Sequence, residues 1–316
     1  MTTAPRSPSA IGRAVLLLGD QWTLLILQRA FLGVQRFQGW RDALGVSESV
    51  LAVRLRDLVA SGLLEKRPYR DGGRARHEYR LTESGLETWR ILVSIWAWEK
   101  RWVARHADDL PELTHGTCGA SIVPALGCGR CGKGVTPYDT DVDVHRSGGD
   151  YYRSSPPRRH RHPGSSPDPR NPPSFFPETM ALLGDRWSTA LLAAAFLRVR
   201  RFSDFQHELG IPPSVLAERL RRFGELGVLR HVPPAEGVRR AEYRLTDKGR
   251  AFFDVLVLLV EWGERFLPTP EGRQLDIVHR DCGQLLAPEL ICPHCDRTLR
   301  RGEAYFLPGP ATGSGR

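Results

Sequence analysis

Two segments of this 316-residue chain repeat one another, and this duplication constrains the fold more than any other feature. Residues 17–67 align with residues 182–232 at an offset of 165 residues, and a one-residue deletion then changes the offset to 164. The match continues through Trp98 and Trp262 into a pattern of histidine and cysteine residues near the end of each copy. Since chance does not place so many residue types in register, the sequence indicates a duplicated gene segment and two domains of one fold.

The sequence between the copies differs sharply in composition. Residues 151–173 hold seven prolines and five arginines and almost nothing that can pack, which is typical of an extended, disordered linker. The predicted units are a first domain at 8–106, a Cys/His module at 112–135, a basic proline-rich linker at 136–173, a second domain at 174–268 and a second Cys/His module at 276–300.

Composition bounds the class of protein. A hydrophobic fraction of 41% and a charged fraction of 26% are those of a globular protein. The N-terminal residues carry no secretion signal and no apolar run is long enough to span a membrane, so we expect a cytoplasmic, nucleoid-associated protein. A net charge of +9, carried mainly by arginine, favours a polyanionic partner. Because an arginine-rich composition also follows from a GC-rich genome, charge alone does not decide the function.

Hydrophobic spacing in the first copy predicts a run of helices. Ala10–Leu18 and Asp20–Leu32 are apolar at helical spacing and are separated by Gly19. Phe37–Leu44 forms a short third helix, and Ser47 is a suitable N-cap for a fourth. In that fourth helix one face is predicted to be core and consists of Val50, Leu51, Leu55 and Leu58.

A β-hairpin and a last helix are predicted to follow. Leu63–Arg67 and His77–Leu81 alternate like strands around a glycine-containing turn, and Thr82 caps the last helix. Helices joined by a short turn before a recognition helix, followed by a basic hairpin, define a winged helix-turn-helix domain. The predicted fold class is therefore mainly α with small β-wings (α+β), with two such domains, each followed by its own small Cys₃His knuckle. The recognition helix of this fold enters the major groove, and its wing reaches phosphates or the minor groove.

The order of these motifs resembles the HxlR family of bacterial regulators. The first copy carries Gly19-Asp20-x-Trp22, then Arg36-Phe37, Gly45-Val46-Ser47, Arg54-Leu55-Arg56 and Tyr79-Arg80-Leu81-Thr82. The second copy keeps Arg201-Phe202, Gly210-Ile211, Arg219-Leu220-Arg221 and Tyr243-Arg244-Leu245-Thr246. The resemblance implies a double-stranded DNA-binding transcription regulator and not an enzyme. Members of the family usually act as homodimers joined through their first and last helices.

The candidate DNA contacts fall on both recognition helices and both wings. For the helices they are Ser47, Ser49, Arg54, Arg56, Ser214, Arg219, Arg221 and Arg222. For the wings they are Arg70, Arg74, Arg76, Arg239 and Arg240. Arg54 and Arg219 have an alternative role in packing or phosphate contact, and any single wing arginine can instead serve only to solvate its hairpin.

The last helix of the second copy, Ala251–Trp262, is apolar nearly all round and must be covered on all sides. The matching helix of the first copy offers several tryptophans, among them Trp96 and Trp98. We therefore predict that the two helices pack together as an intrachain pseudo-dimer, with a homodimer as the alternative. Aromatic residues at this interface also permit a flat pocket for a small-molecule effector, although such residues more commonly form core.

All six cysteines fall in two copies of one pattern: His115, Cys118, Cys128 and Cys131, then His279, Cys282, Cys292 and Cys295. Paired cysteines two residues apart are typical of tetrahedral zinc, so each copy is predicted to bind one structural zinc ion through its own four residues. Reactive thiols and unoccupied remnants are the alternatives for the cysteines, and His294 is the alternative to His279 as a ligand.

The sequence thus favours a DNA-binding transcription regulator. A sensor that responds to oxidant, metal or ligand through the cysteine modules or the aromatic interface is the competing interpretation. An enzyme is not expected, because the sequence offers no phosphate-binding glycine loop, no nucleophile elbow and no open metal site with a general base.

Overall fold

The computed structural model describes residues 9–71, 74–107, 110–145, 176–233, 241–270 and 272–307. Within these residues the chain is a mixture of helices and five small sheets. No single described helix is long and apolar enough to cross a membrane, although the two N-terminal helices together, bent by 75°, have the length and composition to do so.

The first winged domain is formed by the first copy alone. Its elements are α1 (Ala10–Leu18), α2 (Gln21–Phe31), α3 (Phe37–Leu44), α4 (Glu48–Ala60), β1 (Leu64–Asp71), β2 (Arg74–Leu81), α5 (Glu83–Trp102) and α6 (Ala104–Ala107). The helix starts follow from their capping residues. The side chains of Asp20, Ser47 and Thr82 accept hydrogen bonds from backbone N–H groups in the first turns of α2, α4 and α5. The predicted helices and caps are confirmed, and the two strands are longer than predicted.

The second winged domain repeats this order. Its elements are α7 (Pro177–Leu183), α8 (Arg186–Phe196), α9 (Phe202–Leu209), α10 (Pro213–Glu225), β7 (Leu229–Val232), β8 (Glu242–Leu245), α11 (Asp247–Ala251) and α12 (Phe253–Phe266). The predicted continuous helix over Ala251–Trp262 is wrong in one respect, because α11 ends at Ala251 and α12 begins at Phe253.

Each hairpin is fixed to its own domain in the same way. The N–H of Tyr79 donates to the carbonyl of Gln35 at 2.8 Å, and the N–H of Tyr243 donates to Arg200 at 2.7 Å. Gly85, at the start of α5, approaches so closely that a Cβ there would lie 2.1 Å from the carbonyl oxygen of Leu63. The hairpin therefore sits in a fixed position relative to the recognition helix before it and the long helix after it.

The two winged domains meet through α12 of the second domain, which contacts both α1 and α5 of the first. The indole N–H of Trp98 donates to the carbonyl of Lys248 at 3.0 Å, and that of Trp262 donates to Ser84 at 2.9 Å. Each residue of one bond is the repeat equivalent of a residue in the other, which is the mark of an isologous contact. The predicted packing of the two long helices is confirmed, and the copies are related by a pseudo-two-fold axis.

The Cys/His modules are built differently from the winged domains. Their strands are β3 (Glu112–His115), β4 (Ser121–Ile122), β5 (Ala125–Cys128), β6 (Thr140–Val144), β9 (Leu275–His279), β10 (Gln284–Leu285), β11 (Pro288–Ile291) and β12 (Ala304–Leu307). Every sheet contains strands of both copies: β12–β3–β4, β10–β9–β6 and β11–β5. The pseudo-two-fold axis passes through the β11–β5 pair, because Leu126 lies opposite its own equivalent Leu290.

Two predicted boundaries are therefore wrong. The modules at 112–135 and 276–300 are not separate knuckles but one intertwined unit, because short hairpins gain their neighbouring strands from the other copy. The predicted linker at 136–173 starts too early, because Thr140–Val144 pairs with Leu275–His279 as a strand. The proline-rich tract 151–173 lies outside the described residues.

Candidate DNA interface and metal centres

The two recognition helices, α4 and α10, each bury one apolar stripe and expose the opposite side. In α4 the buried residues are Leu51, Leu55 and Leu58, as predicted. Val50 was predicted to be core but is 38% exposed, because it lies in the first turn beside the stripe. In α10 the buried residues are Leu216, Leu220 and Phe223.

Arg54 and Arg219 occupy equivalent positions and are held back against their own domains. Arg54 Nη2 lies 3.2 Å from Asp20 Oδ1, and Arg219 Nε lies 3.3 Å from Asp185 Oδ2. Each aspartate also caps the helix that it begins. Of the two roles left open by the sequence, the geometry favours packing, because each guanidinium ties the recognition helix to the start of the second helix of its domain.

Other predicted side chains on the recognition helices point to solvent. Arg56, Arg221, Arg222 and the serines Ser47, Ser49 and Ser214 are exposed. In α10, Arg221 and Arg222 both pair with Glu225, the latter at 3.6 Å. Such exposed pairs contribute little to stability and exchange readily for another anion.

Ser47 already has a partner for its hydroxyl, which accepts from the N–H of Val50 at 3.4 Å. Among the wing candidates, Arg70 and Arg76 are exposed on the hairpin of the first domain. The side chain of Arg74 and the whole of Arg239 and Arg240 lie outside the described residues, so these three predictions keep their standing as predictions.

A basic cleft beside the first wing was not predicted. It has a volume of about 850 Å³ and lies between the start of α3 and the hairpin. Its lining includes Arg36, Lys66, Tyr69, Arg76 and Tyr79, and the Arg36 guanidinium carbon lies 4.8 Å from the centre of the Tyr69 ring. The residues are spread over more than forty positions, so no local pattern could have revealed that they meet.

Two tryptophans of α5 are buried and packed against other aromatic rings. The Trp98 ring meets the Phe252 ring edge-on at 5.0 Å, and the Trp96 ring meets that of Phe306 at 5.1 Å. This packing accords with the core role that the sequence analysis weighed against an effector pocket.

Two clusters of cysteine and histidine can each hold a metal ion. One consists of His115, Cys118, Cys292 and Cys295, and the other of Cys128, Cys131, His279 and Cys282. In each cluster one donor atom from every residue lies within 4.8 Å of the others. All eight predicted residues are thus brought together, but the predicted grouping by copy is wrong. Each cluster takes two residues from one copy and two from the other.

The distances inside the clusters suit a tetrahedral ion. In the first cluster, His115 Nδ1 lies 3.4 Å from the Sγ atoms of Cys118 and Cys295, and the Cys118 and Cys292 sulfurs are 3.8 Å apart. Zinc with bonds of about 2.3 Å to sulfur and about 2.0 Å to nitrogen separates sulfurs by about 3.8 Å, and sulfur from nitrogen by about 3.5 Å. The match requires no rearrangement of the side chains.

The second cluster has the same geometry. His279 Nδ1 lies 3.3 Å from Cys131 Sγ and 3.5 Å from Cys282 Sγ. Both histidines are 0% exposed, and the alternative ligand His294 is exposed and belongs to neither cluster. A fully buried imidazole whose Nδ1 faces two thiols is the expected arrangement for a ligand of a soft metal.

Arg90 and Asp254 are equivalent residues of the two copies that differ in charge. Each attaches its long helix to a strand of the module. Arg90 of α5 donates from Nη1 to the carbonyl of Pro288 at 2.9 Å and lies 3.5 Å from Glu289. Its equivalent in α12 is Asp254, which accepts a hydrogen bond from the backbone of Leu126. Burial raises the pKa of Asp254 from 3.8 to about 7, and the charge of Arg101 offsets only part of that rise.

Each copy thus places a helix, a short turn and a second helix in front of a β-hairpin, which defines a protein of the helix-turn-helix class. The HxlR-like helix-turn-helix family model matches residues 17–107 and 182–271, more than half of the chain. This chain therefore belongs to the HxlR-like helix-turn-helix family, as the sequence motifs indicate.

Two similar proteins are described as HTH-type transcriptional regulators. An uncharacterized HTH-type transcriptional regulator of Mycobacterium tuberculosis is 41% identical over 131 residues, which is 42% of this chain and 83% of the relative. Another, from Synechocystis, is 31% identical over 105 residues, which is 33% of this chain and 77% of the relative. The family and these relatives are transcriptional regulators and not enzymes.

Two solved structures are also similar. A structure described as a transcription factor is 40% identical and covers 39% of this chain and 81% of its own, with a TM-score of 0.32. One from Pseudomonas aeruginosa, with the same description, is 28% identical and covers 40% of this chain and 85% of its own, also with a TM-score of 0.32.

Proposed function

We propose that this chain regulates transcription by binding one DNA site with both recognition helices, as an intrachain pseudo-dimer. The observation that carries the proposal is the isologous contact between the two winged domains. Trp98 and Trp262 make equivalent hydrogen bonds across it. Two exposed recognition helices are thereby held in a fixed relation by a single folded chain.

The pseudo-two-fold relation sets the expected form of the operator. In dimeric helix-turn-helix proteins the recognition helices enter successive major grooves about 34 Å apart, or one helical turn. We infer the same spacing for α4 and α10. Because equivalent positions carry different residues, among them Asp57 in α4 and Arg222 in α10, the two half-sites differ in sequence.

The wings and the recognition helices have different roles in this proposal. Arg70 and Arg76, which are exposed on the first hairpin, contact phosphates and so contribute equally on every sequence. Arg56, Arg221 and Arg222 face the base edges, where an arginine that donates to guanine discriminates by about 1–3 kcal/mol.

We further infer that the two clusters hold structural zinc. Four protein ligands close the coordination shell and leave no position for a reacting water molecule. The buried histidines and the tetrahedral spacing of the donor atoms support this assignment over free thiols. The ions stabilise the strand module that lies beside the two long helices.

The proposal is tested by selecting fragments of the source genome with the purified full-length chain at physiological salt and sequencing them. We expect a short site with two unlike half-sites about one helical turn apart. Enrichment of a symmetric palindrome, or of no sequence at all, would contradict the pseudo-dimer. A chain with the R56A and R222A substitutions is the matched control and is expected to retain binding with relaxed preference at one position in each half-site.

A second candidate is a regulator whose DNA binding responds to oxidant or metal. The exposure of Cys131 favours this candidate, because an oxidant reaches an exposed thiol most easily. The equivalent residue of the other cluster, Cys295, is partly buried. Mild oxidation should then weaken DNA binding and a reductant should restore it. Binding that is indifferent to both treatments removes this candidate and leaves the first intact.

A further inference from the structure

We propose that each of the two metal ions is bound by both copies at once, so that the ions fasten the two halves of the chain to each other. This inference rests on the proposed occupancy of the clusters by zinc. To that occupancy it adds that each ion takes two ligands from each copy. The spacing of the ligands in the sequence instead predicts four ligands from one copy.

Each cluster draws its four ligands from both copies. One copy supplies a His-x-x-Cys pair to one ion and a Cys-x-x-Cys pair to the other. His115 and Cys118 belong to the cluster completed by Cys292 and Cys295, which lie more than 170 positions further along the chain. The Cys118 and Cys292 sulfurs, one from each copy, are 3.8 Å apart.

The pairing of β5 with β11 produces this exchange of ligands between the copies. β5 leads to Cys128, β11 leads to Cys292, and the two strands run antiparallel with Cys128 opposite Pro288. The two Cys-x-x-Cys pairs therefore leave the strand pair in opposite directions. Each reaches the His-x-x-Cys pair of the other copy, as in the 3.3 Å approach of Cys131 Sγ to His279 Nδ1.

Contacts next to the clusters also join the two copies. β12 pairs with β3 next to His115, and β6 pairs with β9 next to His279, so each histidine strand is completed by the other copy. Lys133 Nζ also pairs with Asp281 Oδ2 at 3.0 Å across the second cluster. Independent hydrogen bonds, ion pairs and ligand positions thus agree on one pairing of the copies.

The shared ions therefore connect the two winged domains independently of the linker. His115 follows the long helix α5 of the first domain, whereas Cys292 and Cys295 follow α12 of the second. An ion bound by all of them ties the ends of both helices. The winged domains are then linked by two ions near the axis in addition to the contact between α5 and α12.

Two triple variants of the full chain separate shared ions from ions bound within one copy. C118S/C292S/C295S removes three ligands of one shared cluster and leaves the other cluster whole. C118S/C128S/C131S removes three ligands of one copy and leaves the second copy whole. The number and type of substitutions are matched, so only the grouping of the ligands differs.

The readout is metal content after purification, together with the thiolate-to-metal absorption after cobalt substitution. With shared ions we expect about two ions in the unmodified chain, about one in C118S/C292S/C295S and none with a complete Cys₃His set in C118S/C128S/C131S. The reverse order in the two variants would overturn the proposal. An unmodified chain without metal would instead overturn the zinc assignment itself, which keeps the two failures distinguishable.

A second measurement keeps one cysteine of each Cys-x-x-Cys pair, so that no disulfide can form within such a pair. The full chain carries C131S and C295S and a protease site in the tract 151–173, and it is oxidised in the folded state and then cut. Shared clusters predict disulfides between the copies, because the Cys118 and Cys292 sulfurs are 3.8 Å apart, so the halves stay linked without reductant. Halves that separate, each with an internal disulfide, would contradict the sharing.

Discussion

The winged domains and the Cys/His module come from the same duplicated segment, yet they use it in opposite ways. Each winged domain draws its helices and hairpin from one copy, whereas every sheet of the module combines strands of both. The difference follows from size. A winged domain buries its own apolar stripe, but the short strands of one Cys/His segment bury too little to be stable alone.

The duplicated chain resembles a dimer at the Cys/His module, where the strands of the two copies pair with each other. The contacts that close each winged domain are local, and those of the module cross the pseudo-two-fold axis, as the pairing of Leu126 with Leu290 illustrates. The Cys/His module needs strands of both copies, so one copy does not contain all of its sheets. Fusion of the two copies also lets the two recognition helices diverge, which a homodimer does not permit.

Metal removal is expected to have the largest effect and to separate the two regions. A structural zinc site contributes on the order of 10 kcal/mol to the folding of a small module, so chelation should unfold the module strands. The winged domains should persist because their cores contain no ligand. Amide hydrogen exchange is expected to show lost protection at Leu126 and Leu290 and retained protection at Leu51 and Leu216. Loss of protection at all four residues in one transition would show that the regions are not separate.

The contact between the copies is tested next by Gly263→Ala. A Cβ at this position of α12 would lie 2.4 Å from the carbonyl oxygen of Ala10 in α1, so the helices must move apart. We expect a loss of about 2–4 kcal/mol in the free energy of unfolding, measured by urea denaturation.

Gly224→Ala in α10 is the matched control for this substitution. Nothing lies within 4 Å of its Cβ position, so the same change there should stabilise the chain by about 0.5–1 kcal/mol. Equal effects of the two substitutions would show that the close approach of α1 to α12 does not hold the copies together.

The divergence of the recognition helices is tested by Arg222→Ala and Asp57→Arg. Loss of Arg222 should weaken binding by about 1–3 kcal/mol and relax one position in one half-site only. Asp57→Arg gives α4 the charge found at the equivalent position of α10, and we expect a shift towards a more symmetric site. Quantitative binding to a library of single-base variants measures both. Uniform weakening on all sequences by Arg222→Ala would make this arginine a phosphate contact.

Asp254 is expected to make the free energy of unfolding depend on pH. Burial raises its pKa to about 7 in the folded chain, above the ordinary value of 3.8. The folded state therefore binds more protons between these values, and this contribution to stability falls as the pH rises through that range. Asp254→Asn should become more stable relative to the unmodified chain between about pH 5 and 7, and the difference should then level off. A constant difference between the two chains over this range, in urea denaturation, would contradict the raised pKa.

The local parts of the fold could be predicted from the sequence. Capping residues such as Ser47 and Thr82 act within one turn, and the stripe Leu51, Leu55, Leu58 marks a helix face directly, so these features were recovered. The prediction that Val50 is core is wrong, because this residue lies beside the buried stripe in the first turn of α4 and faces solvent. The break at Phe252 gave no signal, since no glycine or proline interrupts Ala251–Trp262.

The grouping of the metal ligands could not be predicted. Both copies carry the same four residues at the same spacing, so grouping within a copy and grouping between copies give identical Cys₃His sets. Only strand pairing distinguishes them, and strands as short as Ser121–Ile122 and Gln284–Leu285 leave no periodic pattern. The basic cleft around Arg36 and Tyr69 was missed for a similar reason, because the fold alone brings these residues together.

The central claim is that one chain supplies both halves of a DNA-binding dimer. The measurement that tests it most directly is the mass of the complex between the full-length chain and its selected operator, obtained by sedimentation or native mass spectrometry. We expect one chain on each operator, protecting two unlike half-sites in adjacent major grooves. Two chains on each operator, with one winged domain of each on the DNA, would contradict it.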